Sequence, residues 1–428
     1  MVSRILGLFL MVFSITLLVP ILVATIYGED TQGAFFLAFA ITFSLGMLMW
    51  LPYSRRPIEL RTRDGFIITA LFWVVLGLVG ALPLMLVDEL HLSFTNAVFE
   101  SVSGLTTTGA TVITGLDHLP KSILYYRQQL HWLGGIGIVV IAVAIMPMLG
   151  VGGMQLYRAE MVGPAKETKM TPRIAETAKA LFLIYVGLTV VCTMAYWMAG
   201  MNFFDALTHS FSTIATGGFA NYDASVGHFG SDIIYAIAVI FMILGGTSFG
   251  LHYYAWVKGS VFHYWRNPEA RLYLQIILVS AIIVCLGLYF YGVHDIKDSL
   301  SHGIFQLVSI LTGTGFTTTN FSAWPTFLPF FLLVVSFFGG CVGSTTGGIK
   351  MGRMLFLAKQ GLREISRLIH PNGVFPIKIR NWVVEERVSD AVWAFFGVYL
   401  AVYYVIVLLL LASGLDYVTA WSATAATV

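Results

Sequence analysis

The chain alternates long apolar runs with short polar ones. Apolar stretches of about 20 residues, the length a helix needs to cross about 30 Å of hydrocarbon, can be placed along most of it. They fall near 5–27, 34–52, 66–87, 124–149, 180–200, 232–257, 272–293, 326–358 and 391–413, which predicts nine membrane-spanning helices. Between some of these lie amphipathic segments of a different texture, near 95–105, 204–214 and 300–311. Each ends in a Thr/Gly-rich stretch: LTTTGAT at Leu105–Thr111, IATGGFA at Ile214–Ala220 and LTGTGFTTT at Leu311–Thr319. A helix of about ten residues reaches only halfway through a membrane, so these segments are predicted to enter and turn back. Irregular backbone at that depth is tolerated only where protein or a watery path surrounds it.

The segments repeat. With Gly109, Gly218 and Gly315 in register, Phe99 aligns with Phe305, Ser101 with Ser210, Ser103 with Ser212 and Ser309, and Thr107 with Thr216. The glycines are 109 and 97 residues apart, a period long enough for helix, half-helix, loop and helix. A fourth copy begins at Asp416–Thr427, whose DYVTAWSATAAT matches DALTHSFSTIAT of Asp205–Thr216 at five positions. That offset puts the next glycine at residue 429, so the natural chain is expected to continue with a fourth loop and at least one more helix. The predicted fold is an all-α integral membrane protein, a pseudo-fourfold array of helix, pore half-helix, filter loop and helix units. Its parts are a two-span hairpin (1–64), a first pore unit (65–150), a second (151–271), a third with an intramembrane loop (272–390) and the truncated start of a fourth (391–428).

Composition fixes the class. At 57% hydrophobic and 11% charged residues, the apolar content exceeds what a soluble core needs, which marks a polytopic membrane protein. The first apolar run follows Arg4, is too long for a secretory signal and lacks a small-x-small cleavage site, so it reads as a retained helix. With a cytoplasmic N-terminus, the inner side holds Arg4 and the loops 53–65, 150–179, 258–271 and 350–390. It then carries 21 of the 24 basic residues, leaving Lys121, Arg127 and Lys297 outside, as the positive-inside rule demands. Sorting the 22 carboxylates gives ten inside and twelve outside, hence net charges of +11 and −9. An acidic outer mouth would concentrate cations, although a single outer acid such as Glu29 or Asp88 reads equally well as a solvated surface group.

Several chemistries are excluded. The three cysteines are far apart in apolar segments, so neither a disulfide framework nor a thiolate metal site is indicated. No metal-binding histidine spacing occurs, and His209 and His302 read as packing or hydrogen-bonding groups. Gly134, Gly135 and Gly137 read as helix-packing glycines, and GGCVGSTTGGIK at Gly339–Lys350 fails the spacing of a phosphate-binding loop. No catalytic residue is identified, and the protein is not expected to be an enzyme.

What remains is an ion path. A cation in a narrow pore loses water, and backbone carbonyls are dense enough to compensate yet weak enough to release it. Glycine lets consecutive carbonyls face one axis, and threonine hydroxyls tie the loop to its surroundings. The predicted ion-binding residues are Thr107, Thr108 and Gly109; Thr216, Gly217 and Gly218; and Gly313, Thr314 and Gly315. A lone Thr-Thr-Gly is more simply a helix-packing feature; three in register behind half-helices point to a filter. Half-helix C-termini aimed into the membrane would add partial negative charge. A second candidate is the run Gly339, Gly340, Gly343, Ser344, Thr345, Thr346, Gly347 and Gly348. It is either a gating loop under the filter or a tightly packed kinked helix.

The segments TTTGAT, GVGGMQLYRAE, KMTPRIAETAKAL, STIATGGF and GGCVGSTTGGIK make the chain similar to Trk-type potassium uptake proteins of the Trk/Ktr/HKT superfamily over essentially its whole length. The two extra N-terminal spans, KMTPRIAETAKAL and YRAE match the bacterial Trk branch. The resemblance implies uptake of K+, with Na+ or Rb+ as alternatives, across the bacterial inner membrane through one pore per protomer of a homodimer. It implies no covalently bound cofactor, no other metal and no nucleic acid. A cytosolic TrkA-like nucleotide-binding regulatory subunit would dock on the basic stretches 150–179 and 350–390. The family's filter maps onto the nine residues above and its gating loop onto Gly339–Gly348. Glycine in all three loops matches the potassium-passing members, whereas some sodium-selective plant relatives carry a serine in the first. The competing functions are a proton- or sodium-coupled secondary transporter, which needs ionisable groups inside the spans, and a membrane scaffold for the soluble partner, which leaves the repeated loops without purpose.

Overall fold

The computed structural model describes residues 2–54, 62–144, 174–379, 382–384 and 386–428. Most of the predicted loops 53–65 and 150–179, and with them GVGGMQLYRAE and the start of KMTPRIAETAKAL, lie outside the described residues. Among those described, the architecture is helical apart from a short antiparallel pairing of Lys378–Ile379 with Trp382–Val383.

Among the described residues, six runs are long and apolar enough to cross a membrane: Val2–Tyr27, Gln32–Tyr53, Asp64–Leu86, Ala178–Met198, Pro268–Phe290 and Val388–Ala412. Their outward faces carry well-exposed apolar side chains such as Leu48 (70%), Leu278 (62%) and Leu408 (64%), a surface suited to lipid rather than water. The helix Lys121–Ala144 covers the described part of the predicted span 124–149. Two predicted spans need correction. The run 232–257 is a broken pair, Asp232–Gly245 and Phe249–Lys258, bent by 96°. The run 326–358 is a ten-residue helix, Phe327–Ser336, then non-helical backbone, then a separate amphipathic helix, Met351–Ile369. Its glycines at Gly339, Gly343 and Gly348 adopt positive φ, which no continuing α-helix allows.

Four half-helices occur where the repeat places them: Phe94–Leu105, Phe203–Ala215, Ile296–Leu311 and Tyr417–Thr427. A side-chain oxygen starts each by accepting a backbone N–H: Ser93 from Asn96, Asn202 from Asp205, Asp295 from Asp298 and Asp416 from Thr419. The third begins a turn earlier than predicted because Asp295 caps it.

Their packing repeats as well. The first three half-helices lie between two helices of their own unit: Thr62–Gly80 and Lys121–Ala144, Ile174–Met198 and Asp232–Gly245, and Pro268–Phe290 and Phe327–Ser336. The second, third and fourth also pack on the later helix of the preceding unit, namely Lys121–Ala144, Asp232–Gly245 and Phe327–Ser336 in turn. Outside these units, Val2–Thr16 crosses Gln32–Trp50 at Gly7 and Gly46, where a Cβ on Gly7 would stand 2.6 Å from the Gly46 oxygen. Such glycines let backbones approach in lipid.

Candidate functional site

The three Thr/Gly loops share one local construction. Past each half-helix an N–H reaches back five residues: Thr108 to the Ser103 oxygen (2.9 Å), Gly217 to Ser212 (2.9 Å) and Thr314 to Ser309 (2.8 Å). This is the six-to-one bond that closes a helix end. The residue before each donor is left-handed, Thr107 (φ 58°), Thr216 (φ 51°) and Gly313 (φ 67°), and so is the residue after it, Gly109 (φ 77°), Gly218 (φ 89°) and Gly315 (φ 81°). Left-handed backbone alternating with ordinary backbone turns successive carbonyls towards one side. For β-branched Thr107 and Thr216 that conformation costs about 1–3 kcal/mol each, so the surroundings must hold it.

The loops also meet. A Cβ built on Gly109 would overlap the Gly217 carbonyl oxygen, and one on Gly218 the Thr314 carbonyl oxygen, while Gly315 faces open space. The first loop therefore abuts the second, and the second the third. The helix glycines bring this about: Gly134 packs on the last carbonyl of the first half-helix, Leu105 O, and Gly135 on Ala215 at the end of the second.

Differences between the loops have local causes. The first and third pair hydroxyls, Thr106 with Thr108 at 2.8 Å and Thr312 with Thr314 at 2.7 Å. The second has Gly217 at the latter position because the His131 ring stands where a side chain would go. That ring sits 2.9 Å from the Ser212 hydroxyl and stacks on Phe219 at 4.1 Å.

Sequence reasoning overlooked the groups behind the loops. It treated Arg127 and Glu100 as outer charges, yet they form a buried ion pair at 2.8 Å with side chains 1% and 0% exposed. Glu100 also accepts from the Thr111 hydroxyl and the Val112 N–H. Removing one member of such a pair costs about 3–5 kcal/mol. Asp205, likewise buried, accepts from Asn221, Tyr222 and Asn202, tying the second half-helix to the chain beyond its loop. The usable signal was a carboxylate and an arginine inside otherwise apolar segments. Several outer carboxylates have structural partners besides: Glu29 accepts from the Ser122 N–H, Asp223 from Gly115 and Leu116, Asp232 pairs with Lys297, and Asp295 and Asp416 are helix caps. His209 and His302 make the expected hydrogen bonds, to Asp205 O and Thr318 Oγ1, both at 2.9 Å.

The run Gly339–Gly348 folds as a compact loop beneath the second half-helix, not as a kinked helix. Cys341 N–H donates to Gly246 O at 2.8 Å, at the break between Asp232–Gly245 and Phe249–Lys258, and Phe249 N–H donates to Gly343 O at 3.0 Å. Val342 N–H donates to Glu269 Oε1 at 2.6 Å. The Gly340 N–H and the Ser344 hydroxyl both meet Thr346 Oγ1, and Lys350 Nζ bonds Thr346 O. Buried Thr345 reaches upward: its hydroxyl lies 3.1 Å from both the Thr216 hydroxyl and the Ile214 oxygen. The loop thus touches the end of the second half-helix and its left-handed threonine. Among the described residues no group of three or more His, Cys, Asp or Glu could hold a metal ion.

Known proteins share this construction. The family model described as a cation transport protein, TrkH, matches residues 31–428. The chain is 52% identical to the Trk system potassium uptake protein TrkH of Halomonas elongata over 427 residues, covering all of this chain and 89% of that one. It is 40% identical to the potassium uptake protein TrkG of Escherichia coli (strain K12), covering 99% and 88%. The crystal structure of the potassium transporter TrkH from Vibrio parahaemolyticus superposes with a TM-score of 0.92 at 48% identity, covering all of this chain and 88% of that one. Half-helices, loops and sequence together place the chain in the TrkH family of cation transport proteins, a transporter and not an enzyme.

Proposed function

We propose that the protein carries potassium into the cell, driven by the membrane potential, through a pore lined by Thr107–Gly109, Thr216–Gly218 and Gly313–Gly315. The carrying observation is the abutment of three loops with the same left-handed residues at register-equivalent positions. Relatives at 40–52% identity bear the name potassium uptake protein, which favours potassium as the ion. Carbonyls brought together in this way offer an alkali cation a replacement for its hydration shell, and the C-terminal ends of the half-helices add negative potential. The repeated packing of each later half-helix on the preceding unit supports units arranged in pseudo-fourfold fashion about one axis, with the boundaries predicted above.

The loop Gly339–Gly348 serves as the gate. Its contact with Thr216 supports a position beside the proposed ion path, and Met351 N–H bonds Gly340 O at 2.9 Å. A pull on the helix Met351–Ile369, which carries Arg353, Lys359, Arg363 and Arg367, would therefore reach the loop. A cytosolic nucleotide-binding regulatory subunit docked on these basic residues of a homodimer at the bacterial inner membrane, with the N-terminus inside, completes the proposal. The charge asymmetry of the sequence supports that orientation.

Reversal potentials in planar bilayers test the reading. A passive pore follows the potassium gradient alone, and Gly109→Ser reduces discrimination of potassium over sodium by about tenfold or more, because the left-handed site and the Gly217 carbonyl leave no room for a side chain. Unchanged discrimination in the folded variant would remove the filter assignment; a reversal potential that tracks protons or sodium would replace passive flow with coupling.

A further inference from the structure

We infer that Arg127 is the strut that sets the first two loops in register, and is thereby a positioning residue for ion discrimination. The inference rests on the filter reading above.

One guanidinium reaches both loops. Its Nε donates to Glu100 Oε1 on the first half-helix at 2.8 Å, and one terminal nitrogen donates to Thr111 Oγ1 at 3.0 Å. The other donates to Ala220 O at 3.2 Å. Thr111 and Ala220 each stand two residues past a loop glycine, Gly109 and Gly218, so Arg127 joins equivalent positions of neighbouring units. Its Cζ lies over the Phe219 ring, 4.3 Å from the centre, and the same ring stacks with His131. A planar fork bonded in three directions and stacked on a ring fixes orientation as well as distance, which a lysine cannot do.

The next seam is built otherwise. The position equivalent to Ala220 is Thr317, whose oxygen accepts from the Gly227 backbone N–H at 3.0 Å, while Thr317 N–H donates to Ser225 Oγ at 3.2 Å. Main chain and a hydroxyl hold the second and third loops together, whereas charged side chains span the first seam, Arg127 beside the loops and Asp223 further from them. Beside the loops, register across the first seam thus rests on Arg127, held by Glu100 so that no net charge faces the path, with Gln128 Nε2 donating to Phe219 O at 2.7 Å next to it.

The test uses the intact chain reconstituted in bilayers, with the potassium-to-sodium permeability ratio, membrane abundance and thermal stability measured on the same preparations. Arg127→Gln is expected to lower the ratio about tenfold. The double variant Glu100→Gln/Arg127→Gln recovers part of it because no buried charge is left unpaired. Arg127→Lys retains the charge and still falls short of the native ratio. Thr111→Val, a milder change, lowers it about threefold. A native ratio in folded Arg127→Gln overturns the inference, and if that variant does not accumulate, a native ratio in Thr111→Val does so. Gly109→Ser in parallel separates the two layers. If it lowers the ratio while the Arg127 and Thr111 variants do not, the strut alone is wrong; if none of them does, the filter reading falls and the strut with it.

Discussion

Two kinds of glycine-rich stretch interrupt the apolar helices of this transporter, and they are built on opposite principles. The three Thr/Gly loops are extensions of helix ends: each half-helix has an N-terminal cap, closes with the same six-to-one bond and turns through two left-handed residues. The stretch Gly339–Gly348 follows the short helix Phe327–Ser336, which ends without the six-to-one bond. It is held by carbonyls at the Gly245–Gly246 break, by Glu269 and by its own hydroxyls. Loops closed on their own helix end and abutting one another have little room to move, whereas a loop held by contacts borrowed from other segments can be released when those segments move. The difference matches the roles proposed for them, a fixed lining and a movable barrier.

The sharpest way to break this comparison is Gly218→Ala against Gly315→Ala. Both residues need positive φ, but only at Gly218 would a Cβ overlap a neighbouring carbonyl, that of Thr314. Potassium uptake is expected to fall more than about tenfold for Gly218→Ala and by less for Gly315→Ala, where backbone strain of about 1 kcal/mol acts alone. Equal uptake by the two would mean that the loops do not depend on abutment.

Next in size is removal of Gly343–Thr346, which takes away the hydroxyl against Thr216. Flux in the absence of any regulatory subunit should rise several-fold, as Thr345→Val should do more weakly by losing the hydroxyl's bonds to Thr216 and Ile214 O, about 1 kcal/mol each. Flux that stays the same, or vanishes with folding intact, would deny the loop its role as a barrier.

The smallest effect concerns a cap. Asp295→Ala removes the oxygen that receives the Asp298 N–H and should lower thermal stability by about 1 kcal/mol while leaving permeability ratios unchanged. A shifted ratio would show that the half-helix ends and the ion path are less independent than local construction implies.

Much of the architecture was legible because membrane physics leaves strong marks on sequence. Long apolar runs, half-length amphipathic segments and a repeat in register gave the spans, the half-helices and the loop residues, all from patterns within a few turns of chain. The broken helices were less legible. The run 326–358 has the length and apolarity of a span, and whether its glycines sit in a helix or a loop depends on partners such as Glu269, more than 70 residues away. Arg127 and Glu100 were visible as letters, but counted as surface charges until their burial was known.

The sequence alone determined where the half-helices and their Thr/Gly loops recur, since caps, left-handed glycines and hydropathy act within one helix and its ends. Only the tertiary structure decided what those irregular segments touch: Gly109 against Gly217, Gly218 against Thr314, Thr345 beneath Thr216, and Arg127 between two loops. Such contacts join residues separated by about a hundred positions, and no local preference encodes a distance that the packing of whole helices has to set.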